Sequence, residues 1–404
     1  DDDDGDERVD YDDDQLAVAE TVSEFLTHLN HLLGVFVARH LTRAEQGDFD
    51  LLAFMQVLLA YTLELRTAEL LSSAVGVWAQ LLDHVATRSL QIANVDDAEQ
   101  YRGAYEQPLL ELVKGLLEHV LLHQTAGGTL RAMMRAEPDD AEALAETAIG
   151  VVGQVGQLYG VHVLELVVPL FSSSLDALAS LDDQWWLCET KLPLDERSAC
   201  FDTVTTLRLV AALVEHFITD KSMFAESQEE IVAKVLQLVE FCNENRLYQR
   251  GRIGGGARGD AASLLHLHCF SFLRNFAPWF NFLAKRELDY EDAGDSDVAA
   301  QVAAELLRLA LRLLADAASS GEAITIQAAE VVRLVTEHMR PQGLVDLPVV
   351  ADMVEACDGL AEQYAEHTPI VAQKLYVACV QVHALPLRPS SLNTKETWQQ
   401  RRDN

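Results

Sequence analysis

Few stretches of this chain hold residues whose types and spacing could do chemistry. Arg250-Gly-Arg-Ile-Gly-Gly-Gly-Ala-Arg-Gly-Asp260 is glycine-rich and basic, the composition of a loop that cradles phosphate on its backbone N–H groups. A nucleotide loop of that kind needs G-x-x-x-x-G-K-[ST] between a strand and a helix. No Lys-Ser or Lys-Thr occurs here and no strand pattern precedes it, so the segment reads as a linker between helices. Leu265-His-Leu-His-Cys269 is the second candidate, for metal binding. On a helix, His266 and His268 face different directions, whereas His266 and Cys269, three apart, share a face. Structural zinc wants four nitrogen or sulfur ligands. No second cluster stands nearby in the sequence, so the expectation is core packing, with no metal and no cofactor.

Catalytic signatures are missing in the same way. There is no Gly-x-Ser-x-Gly elbow and no His-Glu-x-x-His. Ser172-Ser-Ser174 follows Pro169 and Phe171 and reads as a helix irregularity, not a nucleophile. The chain is therefore expected not to be an enzyme. The stretch Ser180-Leu-Asp-Asp-Gln-Trp-Trp-Leu-Cys188 points instead to binding. Adjacent aromatics in a loop cannot both enter one helix core, and Trp is enriched at interaction hot spots. Trp185 and Trp186, with Asp182 and Asp183 beside them, are the candidate protein-binding residues. The alternative is that both indoles cover the ends of the flanking helices.

The charge balance narrows the partner. The 404 residues carry 64 acidic and 30 basic side chains, a formal charge of −34. Phosphate neutralisation needs clustered Lys and Arg, so nucleic acid is not an expected partner, and anionic membrane surfaces are disfavoured for the same reason. Basic or amphipathic protein partners are favoured, although acidity also serves solubility. Residues 1–14 hold ten of the acidic residues and one Arg, and are expected to be a disordered acidic segment. The six cysteines include no C-x-x-C pair and most sit in apolar helical patterns, as in a reducing compartment. The uncharged stretch at 147–164 contains Gln154, Gln157, His162 and four glycines, and reads as a buried helix and turn, not a membrane span. The chain begins without Met, inside an acidic run, and is expected to be a segment of something longer.

The elements that position these residues are helices. From Gln15, apolar residues recur at spacings of three and four through Leu16, Val22, Phe25, Leu29, Leu32, Phe36 and Val37. That stripe ends near Thr42, and Asp48 or Asp50 can cap the next helix, which runs to about Arg66. A third carries Leu70 to Val85. The same period predicts helices over 98–124, 139–158, 160–180, 198–219, 225–246, 260–284, 295–317, 322–340, 347–365 and 368–384. Thirteen helices joined by short turns cannot close into one bundle, but can stack without limit because each pair touches only its neighbours. The expected fold is all-α, an α-solenoid of stacked antiparallel helix pairs of HEAT or armadillo type. It would occupy residues 15–385, with a polar tail at 386–404.

Several segments also resemble, in order and with similar gaps, the karyopherin-β family of nuclear transport receptors. They are Phe25-Leu-Thr-His-Leu-Asn-His-Leu-Leu-Gly-Val-Phe-Val-Ala-Arg-His-Leu41, the helix ending in Leu59-Ala-Tyr-Thr62, and Val77-Trp-Ala-Gln-Leu-Leu-Asp-His-Val85. Tyr105-Glu-Gln-Pro-Leu-Leu-Glu-Leu-Val113, the helix pair at 139–180 and Leu209-Val-Ala-Ala-Leu-Val-Glu-His-Phe-Ile-Thr-Asp-Lys-Ser-Met-Phe224 follow. The resemblance runs from about residue 20 to about 350, and within the family it is to the export receptors of actin–profilin complexes. It implies a nuclear export receptor that binds protein cargo cooperatively with Ran-GTP, meets nucleoporins, and shuttles between nucleus and cytoplasm. It also implies that this is the central portion of such a receptor, lacking the N-terminal repeats with most of the Ran-GTP contacts. The family has no catalytic residues. The alternative is a HEAT or armadillo scaffold that assembles cytosolic complexes without Ran.

Overall fold

The computed structural model describes residues 13–122, 138–180, 194–214, 218, 225–252, 261–280, 298–316, 322–338 and 348–384. Among them are thirteen α-helices and no strand. In chain order they are α1 (Asp13–Ala44), α2 (Leu51–Glu64), α3 (Ala68–Gln91), α4 (Val95–Gly103), α5 (Glu106–Leu116), α6 (Pro138–Ala179) and α7 (Leu194–Ala212). The rest are α8 (Ala225–Glu244), α9 (Ala261–Phe276), α10 (Val298–Asp316), α11 (Glu322–His338), α12 (Pro348–Ala365) and α13 (Pro369–Ala384). The chain divides into two compact units, the first ending at Leu166 and the second beginning at Val167.

In the first unit, α3 carries the longest buried stripe: Leu70, Leu71, Ala74, Val75, Trp78, Leu81, Leu82 and Val85. This spacing of three and four puts one face of α3 inward, and each fully buried Leu or Val contributes about 1.5–3 kcal/mol. That face packs along α1, and α2 packs on α3 and α5. Asp50 caps α2 from an extended conformation, its Oδ1 accepting the Ala53 N–H at 3.0 Å. The Trp78 indole N–H donates to the Thr62 hydroxyl at 3.0 Å, so the largest buried side chain leaves no polar atom unpaired. Gly115 lets α5 approach α2, since a Cβ there would lie 2.8 Å from the Leu63 methyls.

The second unit shows how the stack is built. Consecutive helices pair as α8 with α9, α10 with α11, and α12 with α13. Alternate helices also touch, giving one row α7–α9–α11–α13 and a second row α8–α10–α12. Two rows of alternating helices, each packed on its neighbours along and across the stack, are the arrangement of an α-solenoid. Aromatic residues fill the interior near α9: Phe171 stacks on Phe272 with centroids 6.5 Å apart, and Phe276 lies against Trp279 at 5.9 Å. The Trp279 N–H donates to Gln228 Oε1 at 2.9 Å.

The fold expected from the helical period is the one observed, with two local differences. The single helix expected over 98–124 is broken at Ala104-Tyr105 into α4 and α5, and the end of α5 widens into a π turn at Leu117–Leu121. Pro108 explains the break, because proline fits the first turn of a new helix and not the middle of an old one. The helices expected over 139–158 and 160–180 run on as α6, with the backbone leaving helical geometry at Tyr159 (φ −137°, ψ 45°), where the boundary was expected. By length and composition alone, residues Glu142–Ala179 could cross a membrane. In this fold Leu144, Val151, Val152, Val155, Val163, Leu164, Val167 and Phe171 are buried within the protein.

Candidate functional site

A surface able to receive a partner lies in the first unit, between α5 and the part of α6 that follows Tyr159. Helix α5 turns Leu109, Leu112, Val113 and Leu116 inward. The residues one helical step away, Glu106, Gln107, Leu110, Glu111 and Lys114, then form a continuous outer stripe at i, i+1, i+4, i+5 and i+8. Across from them α6 presents His162, Glu165 and Leu166. Together they bound an open groove of about 450 Å³. Leu110 and Leu166 are half-buried on its floor, and Glu111 and Glu165 are exposed on its rim.

The polar groups of the groove are partly engaged. Glu106 pairs with His162 across the two helices. Glu111 Oε1 accepts from Gln107 Nε2 at 3.2 Å, and the Lys114 ammonium stands 3.8 Å from Glu118. Among the described residues Glu165 has no such partner. The lining holds carboxylates, an imidazole, an ammonium and leucine methyls, which equips it for ion pairing and apolar contact.

A tyrosine-rich network fixes the groove's α4–α5 wall. The Tyr159 hydroxyl donates to the Arg102 carbonyl at 2.7 Å, so the break in α6 is used to tie α6 to the end of α4. Tyr101 donates to Glu45 Oε1 at 3.2 Å, and the other oxygen of Glu45 lies 2.8 Å from His84 Nε2. Tyr105 packs edge-on against Tyr101 with centroids 5.1 Å apart. Burial, reinforced by Glu45, pushes the Tyr101 and Tyr105 phenols up, and burial with Glu106 does the same to Tyr159. These hydroxyls therefore stay protonated and remain donors.

The second unit carries an ion-pair ladder along the α9–α11–α13 row. Arg274 donates to Gln327 at 3.1 Å. Glu330 is held by Arg333 at 2.7 Å and by Lys374 of α13. Arg333 first, then Lys374, keep the Glu330 carboxyl down at about 2 against the opposite push of burial. On the other row, Arg308 bridges Glu240 and Glu305. Beyond the ladder α13 exposes Ile370, Tyr376, Val377 and Val380.

The sequence candidates fall differently. Trp185, Trp186, Asp182 and Asp183 lie outside the described residues, as do residues 253–260 of the glycine-rich loop. His266 and Cys269 do lie on one helix, but they serve different contacts. His266 is buried, its Nε2 lies 2.9 Å from Asn243 Oδ1, and burial pushes it down to about 3. His268 is pushed down to about 4 by burial and by Arg208. Cys269 instead meets Cys242, whose thiol is pushed up by burial. Among the described residues no group of three His, Cys, Asp or Glu side chains could hold a metal ion. The groove itself was missed in sequence. Its signal was the charged stripe of α5 running opposite the leucine stripe, visible only once Pro108 is taken as a helix start.

No protein-family model matches the chain, and no solved structure matches it. Exportin-6-A of Xenopus laevis is 32% identical over 98 residues. The match covers 24% of this chain and 8% of that protein. The aligned stretch is shorter than the span of residues 20–350 over which ordered segments resemble the karyopherin-β family. The partial likeness and the all-helical stack are compatible with a karyopherin-like protein.

Proposed function

We propose that this chain is part of a nuclear export receptor of the karyopherin type, acting by binding protein cargo cooperatively with Ran-GTP. The observation that carries the reading is the match to exportin-6-A on a stack of antiparallel helix pairs. Such a stack presents one row of helices as an extended recognition surface. By the same resemblance the cargo is an actin–profilin complex, nucleoporins are further partners, and the receptor shuttles between nucleus and cytoplasm. Cargo and Ran-GTP would share the cost of ordering the solenoid, which makes their binding reciprocal. The receptor performs no catalysis and needs no cofactor, and with a charge of −34 it engages neither nucleic acid nor an anionic membrane.

The test is a pulldown from the complete gene product, using GTP-locked Ran and actin–profilin singly and together. Retention of cargo only when GTP-locked Ran is present is the expected result. Binding of neither partner under any nucleotide state would sink the transport reading and leave a scaffold that assembles complexes without Ran.

A further inference from the structure

We infer that the groove between α5 and α6 is a docking site for a basic amphipathic helix. The inference rests on the protein-binding part of the reading above and not on its transport part. Three properties of the groove select this occupant. It is bounded by two helix faces, so its contact points repeat at helical spacing: Glu106, Leu110 and Lys114 on one wall, His162 and Leu166 on the other. A helix laid between them would meet these points with side chains at i, i+3, i+4 and i+7, which is the helix-in-groove mode of recognition. The floor is apolar at Leu110 and Leu166, and a space of about 450 Å³ suits a few aliphatic side chains rather than a flat contact.

The rim then sets the charge of the partner. Glu111 and Glu165 stand exposed on opposite walls, and among the described residues no cation pairs with Glu165. The single ammonium of the lining, Lys114, leans toward Glu118. A partner with leucines on one face and Lys or Arg flanking them places its cations against both carboxylates. An acidic or neutral amphipathic helix meets like charge or leaves Glu165 desolvated and unpaired. Charge complementarity of this kind governs specificity and association rate more than raw affinity. The tyrosine network behind α4 and α5 keeps the wall in place before the partner arrives, so little ordering is required on this side.

The probe is a fluorescein-labelled amphipathic peptide with leucines at i, i+3, i+4 and i+7 and lysines elsewhere. It is titrated against the full chain by anisotropy, beside a counterpart with every lysine replaced by glutamate. The lysine peptide is expected to bind and the glutamate peptide not. Glu111→Lys with Glu165→Lys should weaken binding about tenfold or more, and Leu166→Asp should do the same at high salt. Glu355→Lys with Glu362→Lys, on α12, should leave affinity within about twofold, since a reversal at residues that do not line the groove changes only net charge. Three results overturn the inference: no binding of the lysine peptide, equal loss in the α12 variant, or equal affinity in the groove variant. Loss of Ran-dependent cargo capture with the peptide result intact would refute the transport reading alone.

Discussion

The two units tie alternate helices together with the same device, and they differ in one side chain of it. In the first unit the buried Asn30 of α1 donates from Nδ2 to the Leu70 carbonyl of α3 at 3.0 Å, and its Oδ1 accepts from the Tyr61 hydroxyl of α2 at 2.7 Å. In the second the buried Asn243 of α8 donates to the Leu309 carbonyl of α10 at 3.0 Å, and its Oδ1 lies 2.9 Å from His266 Nε2 on α9. Each asparagine thus skips one helix along the chain and takes its second contact from a ring on the helix it skips. Because the amide N–H of Asn243 is committed to Leu309, its Oδ1 must accept, so His266 carries a proton on Nε2, and burial keeps the ring neutral. The first tie ends in a half-buried phenol that burial pushes up. The second ends in a wholly buried imidazole that burial pushes down. The geometry is shared, but only the second can be undone by acid.

Removing the asparagines should give the largest effects and separate the units. Asn243→Ala leaves the Nε2 proton of His266 and a share of the Leu309 carbonyl without partners in a dry site, which costs about 3 kcal/mol. Asn30→Ala should cost less, about 1–2 kcal/mol, because water can reach the Tyr61 hydroxyl. Urea melts followed by hydrogen exchange in α9 and in α3 read the two losses separately. Equal losses in both variants would mean that solvent access at Tyr61 does not matter.

Acid offers the next test. His266 binds its proton below about 3 in the folded chain and near the ordinary 6.5 when unfolded. Between those values the unfolded state holds more protons, so stability falls as pH falls below about 6.5. At pH 5 the loss from this residue is about 2 kcal/mol. His268 adds a loss of the same sign between 6.5 and about 4. Exchange protection in α9 should therefore drop between pH 7 and pH 5 while that of α3 holds. His266→Gln, which keeps a donor toward Asn243 and cannot titrate, should flatten part of that drop.

The ion pairs rank below these. Lys374→Ala removes one of the two cations on Glu330 and should loosen α13 from α11 by about 1 kcal/mol. With Glu330 titrating down at about 2 when folded and near 4.5 when unfolded, its contribution is present above pH 4.5 and is lost as pH falls toward 2. Arg308→Ala, on the more exposed bridge to Glu240 and Glu305, should lower the unfolding free energy from urea melts least, by about 0.5 kcal/mol or less.

The helices were legible because the apolar period is strong. Leu70 to Val85 on α3 is nearly a pure stripe, and the Asp50 cap and the break at Tyr159 were marked by turn and glycine residues in the sequence. The asparagine ties were not legible. Asn30 lies between Leu29 and His31 in the chain, where a polar residue reads as solvent-facing, and its true partner is 40 residues away. Asn243 is equally plain in Cys242-Asn-Glu244. The groove was hidden for a related reason: its two walls come from helices separated by residues 123–137, and neither wall is unusual alone. Periodicity reports which face turns inward, but not which outward faces later meet.

Helix α4 has no buried residue of its own and is held by the Tyr101 hydroxyl on Glu45 and by Tyr159 on its last turn. Held by polar contacts and not by a buried face, it opens locally more easily than α3, whose stripe is buried. Its amides should exchange earlier than those of α3, and a protease should nick near Asp96 and Asp97 before it cuts within α3. Because Gly103 at its end borders the groove, a bound partner would be reported by the slowing of that exchange, with no label on the partner at all.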